Sequence, residues 1–189
     1  YPIMSTRLYL LAGLILCGSV LAADDPKPAR SLFDGESLQG WEGKSEWFRV
    51  EDGAIVGGSL ERKVPNNEFL CTQKEYGDFE LRLKFKVVGE KVNAGIQIRS
   101  RRIPDHHEMI GYQADIGEGY WGALYDESRR RKVLAAPDRE AIAKVLKRDG
   151  WNDYVIRCQG RRIQLWVNGL KTVDYTEPDE AIEQRGLIG

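Results

Sequence analysis

Two short runs of alternating polar and apolar residues hold the side chains best suited to chemistry. From Gly95 to Arg101, Ile96 and Ile98 take one side while Gln97 and Arg99 take the other; from Ile110 to Ile116, Tyr112, Ala114 and Ile116 take one side while Gln113 and Asp115 take the other. Successive side chains of a strand point to opposite faces, so the four polar groups are expected to leave the core. Trp121 and Tyr125 on one strand and Trp166 on another add aromatic rings, which a merely wet face does not favour. Rings beside fixed hydrogen-bonding groups suit a sugar, whose C–H faces pack on them while its hydroxyls take bidentate partners. The competing reading puts any of these tryptophans in the core, because a one-residue slip of register turns every side chain to the other face.

The two histidines lie together in Asp105-His106-His107-Glu108, just before the second run. Such a cluster can supply a base near neutral pH or a ligand for a divalent ion, against the plainer reading of a polar loop. Neighbours on a strand face opposite ways, so one histidine at most is expected at any site, and no zinc-type spacing is present. The chain has no Gly-x-Ser-x-Gly elbow, phosphate loop or dinucleotide fingerprint, which removes serine-triad and nucleotide chemistry. A two-carboxylate glycosidase stays open with Asp115, Asp126 and Glu127 as its carboxylates, since sequence spacing does not show a pair facing across a cleft.

Strands must position these groups. Asp78 to Val87 shows the period of two most clearly, with Phe79, Leu81, Leu83, Phe85 and Val87 on one side and Glu80, Arg82, Lys84 and Lys86 on the other. Further strands are expected at Trp47 to Glu51, Ala54 to Gly57, Phe69 to Gln73, Gly95 to Arg101, Ile110 to Ile116, Trp121 to Tyr125, Asp153 to Gln159, Arg162 to Val167 and Lys171 to Tyr175. Asn168-Gly169 and Asp52-Gly53 are hairpin turns by their tolerance of positive φ, and Gly160 fits a tight connection. One short helical insertion is expected from Arg139 to Lys147. Many short strands with a single helix imply an all-β fold of two packed sheets.

The N-terminus reads as a signal peptide over residues 1–22: Arg7, an apolar stretch from Leu8 to Cys17, then the small-residue site ending at Ala22. The apolar run breaks at Gly18-Ser19, short of the roughly 20 residues a membrane span needs. Tyr1-Pro2-Ile3 before Met4 read as an over-extended frame, residues 23–30 as a linker, and the apolar end at Leu187-Ile188 as a strand cut short. Losing residues 1–22, whose only charge is Arg7, moves the net charge from −1 to −2. A chain so balanced does not bind nucleic acid. We therefore expect a secreted or periplasmic protein, free of the membrane after cleavage. An oxidising compartment permits a Cys71–Cys158 bridge, but Cys158 alternates in step with Tyr154 and Ile156, which favours a small buried thiol.

Several separated motifs stand in order along the chain: SLFDG from Ser31 with LQGW from Leu38, WFRVEDGAIVG from Trp47, EYGDFELRLKF from Glu75, NAGI from Asn93, GYQADIG from Gly111 and WNDYVIRCQGRRIQLWVNG from Trp151. Together they resemble the 3-keto-disaccharide hydrolase family, the keto-glucoside lyase/hydratase type of domain, over about Leu32 to Gly189. Gln113 stands where Glu is commoner in that family. The stretch from Gly119 to Ala135 looks like the signature of a subgroup.

The resemblance implies a concanavalin A-like jelly roll, and an exported enzyme that cleaves glycosides already oxidised at C3. A separate sugar 3-dehydrogenase would supply such a substrate. In that setting Asp115 is the candidate base, Arg99 the candidate for stabilising the oxyanion, and His107 an alternative base or the ligand of a divalent metal ion. Gln97, Gln113, Trp121, Tyr125 and Trp166 are the candidates for holding the sugar. Two other classes stay in view, because fold does not imply activity: a non-catalytic carbohydrate-binding jelly roll and a structural surface domain. A base with a shifted pKa beside a cation would separate the enzyme from the binding module.

Overall fold

The computed structural model describes residues 29–90 and 92–189, so the expected signal peptide lies outside the described residues. The fold below is that of the compact unit Phe33–Gly189. Its elements in order are β1 (Trp41–Glu42), β2 (Phe48–Glu51), β3 (Ala54–Gly57), β4 (Cys71–Thr72), β5 (Phe79–Phe85), β6 (Asn93–Arg102), β7 (Met109–Gly117), β8 (Leu124–Glu127), β9 (Lys132–Ala135), α1 (Arg139–Val145), β10 (Asn152–Gln159), β11 (Arg162–Val167) and β12 (Leu170–Thr176).

Two four-stranded antiparallel sheets, ordered β12-β11-β10-β5 and β6-β7-β8-β9, form an all-β jelly-roll sandwich with one short helix. The alternation expected for β5 is present: Phe79, Leu81 and Leu83 pair with Cys158, Ile156 and Tyr154 of β10. Ile163, Leu165 and Val167 of β11 add to this inner face, and Ile98, Tyr112, Ala114, Ile116 and Leu124 meet them from the other sheet. Cys158 is a buried free thiol within this core, and Cys71 is buried and free beside Met109.

Turn chemistry sets the hairpins. Asn168 and Gly169 both have positive φ, 48° and 84°, as do Asp52 and Gly53 at 49° and 72°. The helix begins where the Asp138 carboxylate accepts from the Ala141 amide, and stops where Leu146 turns extended, two residues earlier than its apolar pattern predicts. Two elements escape the sequence pattern, the two-residue β1 and the half-exposed β9. Residues 186–189 lie between strands: Leu187 exchanges hydrogen bonds with Ser100, Gly189 with Gln97 and Gly186 with Tyr76, while the Ile188 carbonyl accepts from the Thr72 amide. Ile188 is buried.

Candidate active site on the β7 face

Five β7 residues, Met109, Gly111, Gln113, Asp115 and Gly117, share the face turned away from the core. Register brings Gln97 opposite Gln113 and Gly95 opposite Asp115 from β6, and Tyr125 opposite Gln113 and Glu127 opposite Gly111 from β8. A directed chain of hydrogen bonds runs across this face. The Ser100 hydroxyl donates to Gln97 Oε1 at 2.7 Å, Gln97 Nε2 to Gln113 Oε1 at 3.0 Å, and Gln113 Nε2 to Asp115 Oδ1 at 2.7 Å. Gly95 makes room for it, since a Cβ there would stand 2.6 Å from Gln113 Cγ. Asp115 Oδ2 has no such partner among the described residues.

Asp115 is 5% exposed, and burial drives its carboxyl up to about 7 despite the bond from Gln113; the charge of Glu127 pushes the same way. Burial, with Glu127 and Asp115 nearby, also raises Tyr125, which keeps its hydroxyl a proton donor. The face therefore carries an acid–base group that exchanges its proton near neutral pH, amide groups that orient it, and a phenol beside them.

Gln97, Gln113, Asp115 and Tyr125 are brought together; the other sequence candidates are not. Arg99 does not face outward, because a bulge between Ile98 and Arg101 breaks the alternation and Arg99 itself has φ 47°. Its guanidinium is buried and donates to the Gly77 carbonyl, the Gly160 carbonyl and Asp78, joining the start of β5 to the β10–β11 turn. Trp121 lies in the turn before β8 rather than on a strand beside Tyr125, and stacks on Phe85 of the core at 6.3 Å. Trp166 does face outward, but from the other sheet, where Arg157 and Lys171 flank its ring. Asp126 points inward and is held by Arg129 and Arg130, so it is no partner for Asp115 on this face.

His107 lines a different place, a cavity of about 590 Å³ bounded also by Trp41, Glu42, Phe69, Arg102 and His106. Six residue steps along β7, roughly 20 Å of strand, separate Met109 at that end from Asp115. Among the described residues no three His, Cys, Asp or Glu side chains gather as a metal set. Sequence reasoning missed Ser100, whose place behind Gln97 depends on the bulge, and the pairing of Glu42 with Arg102 in the cavity wall.

Solved structures share this architecture. A provisionally assigned glycosyl hydrolase from Parabacteroides distasonis ATCC 8503 is 18% identical with a TM-score of 0.61, covering 83% of this chain and 84% of its own. A second from the same organism is 20% identical with a TM-score of 0.55, covering 80% and 84%. The carbohydrate-binding module CBM66 of Bacillus subtilis is 12% identical with a TM-score of 0.60, covering 79% and 84%. At such identities the likeness is one of fold. No curated protein matches the chain. The family model described as the 3-keto-alpha-glucoside-1,2-lyase-like domain matches residues 28–189, and the chain, a carbohydrate-related jelly roll, belongs to that family.

Proposed function

We propose that the domain cleaves 3-keto-glycosides outside the cytoplasm by β-elimination followed by hydration, with Asp115 as the base. The observation that carries this reading is an acid–base group near pH 7 held by a hydrogen-bonded chain on the sheet face. A ketone at C3 acidifies the C2 proton. Asp115 Oδ2 takes that proton, the C2–H pair forms the enolate, and its collapse breaks the C1–O bond as Asp115 passes the proton on to the departing aglycone oxygen. Water then adds hydroxyl to C1 and a proton to C2, which restores the ketone as a free 3-keto sugar and completes a net hydrolysis. Tyr125, kept protonated, donates to the enolate oxygen in place of the buried Arg99. The substrate comes from a separate sugar 3-dehydrogenase, and the N-terminal signal directs export.

Release of aglycone from a 3-keto-glucoside, with the parent glucoside untouched, tests the proposal. Asp115→Asn is expected to lower kcat by about 10²-fold or more, and a parallel assay with chelator tests His107 as a metal ligand. A second reading, a non-catalytic binding module, draws on one observation: the groups that shift Asp115 include no cation. Sugar binding with no turnover of the keto-glucoside decides for that reading.

A further inference from the structure

We propose that the cavity bounded by Trp41, Glu42, Glu68, Phe69, Arg102 and His107 is a separate binding site for an uncharged sugar ring. This inference stands without the catalytic reading. At about 590 Å³ the cavity falls in the ~300–1,000 Å³ of small-molecule sites. Its wall has an apolar part, Trp41 and Phe69, for C–H faces.

The polar part consists of two ion pairs, Arg102 Nε to Glu42 at 2.6 Å and Lys44 Nζ to Glu68 at 2.7 Å. Each pair closes its own charge, so a carboxylate ligand meets Glu42 and Glu68 and a cationic ligand meets Lys44 and Arg102. A hydroxyl, which donates and accepts, suits both. Arg102 spends Nε on the Glu42 carboxylate and Nη2 on the Glu42 and Phe69 carbonyls, which among the described residues leaves Nη1 for a ligand. The second carboxylate oxygens of Glu42 and Glu68 are likewise open as acceptors.

His107 supplies an independent observation. Its ring stacks on His106, and its buried Nδ1 has no hydrogen-bond partner among the described residues. A nitrogen so placed costs free energy until something bonds it. His107 lines the cavity, so a ligand hydroxyl that reaches this nitrogen relieves the cost.

The test is titration of the chain with methyl β-glucoside, glucuronate and glucosamine, followed by the NMR signal of the Trp41 indole and by calorimetry. Saturable shifts with the glucoside, and binding of both charged sugars at least tenfold weaker, are expected. Arg102→Met should weaken the glucoside about tenfold, the loss of one charge-assisted bond. Lys44→Met, at a side chain 56% exposed, strips Glu68 of its partner and should move preference toward glucosamine. Asp115→Asn should leave the titration unchanged. No saturable shift at Trp41, equal binding of charged sugars, or loss of binding in Asp115→Asn would each overturn the site.

Discussion

Asp115 sits under opposed pressures that one substitution at a time can separate. Burial and Glu127 raise its carboxyl from 3.8 to about 7, while the bond from Gln113 works against them. A base with that pKa is idle when protonated, so keto-glucoside turnover should fall as pH drops below about 7 and level off above it. Gln113→Leu removes the lowering bond, and the acid limb of the pH–rate profile should move to higher pH. The same shift acts on stability with a fixed sign. The folded state holds this proton more tightly than the unfolded one, so its contribution is full below 3.8 and is lost as pH rises through about 7. Asp115→Asn should therefore melt roughly 5 °C or more above the parent at pH 8, with little difference at pH 4. Differential scanning calorimetry at the two pH values checks it. Gln113, being neutral, spares Asp115 a second like charge at hydrogen-bond distance.

At the level of elements, the bulge in β6 decides which polar residues meet. Without it Arg99 would follow Gln97 onto the outer face; with it the guanidinium spans to the opposite sheet and satisfies two carbonyls there. Arg99→Met should thus cost about 2–4 kcal/mol of stability and leave kcat near its parent value, read by denaturant melts beside the keto-glucoside assay. The residue's phase was unreadable because period-two reasoning assumes one residue per step, and a bulge adds one. Alternation did identify the β5 stripe and the outward turn of Gln113, Asp115 and Trp166. It says in or out but not on which sheet, and so Trp166 and Asp115 shared a face in the sequence and share none in the fold. Trp121 misled for a different reason: apolar neighbours resemble a strand, while Gly122 at φ 70° turns the chain there. β9 gave no signal because its side chains are half exposed.

Across the whole molecule, two buried carboxylates, Asp126 and Glu177, are tied into one ionic network. Asp126 on β8 meets Arg129 and Arg130, Arg130 reaches on to Glu177 after β12, and Glu177 also accepts from the Tyr112 and Tyr175 hydroxyls. Burial pushes Glu177 up, but the bonds from Arg130, Tyr112 and the Asp179 amide outweigh it and hold the carboxyl at about 2. This stabilisation is full above pH 4.5 and is lost as pH falls through about 2. Arg130→Met leaves two carboxylates without their shared cation and should destabilise by about 3–5 kcal/mol, with thermal unfolding as the measurement. The placement of residues 186–189 bears on the order of assembly. Those residues bond to Gln97 and Ser100 on one side and to Thr72 on the other, across more than eighty positions of chain. The paired strands β1 and β4 and the strand β6 thus acquire their common neighbour only once residues 186–189 are made. A nascent chain halted at position 185 holds two strand groups with facing, unbonded edges, so this sheet cannot close before residues 186–189 have left the ribosome.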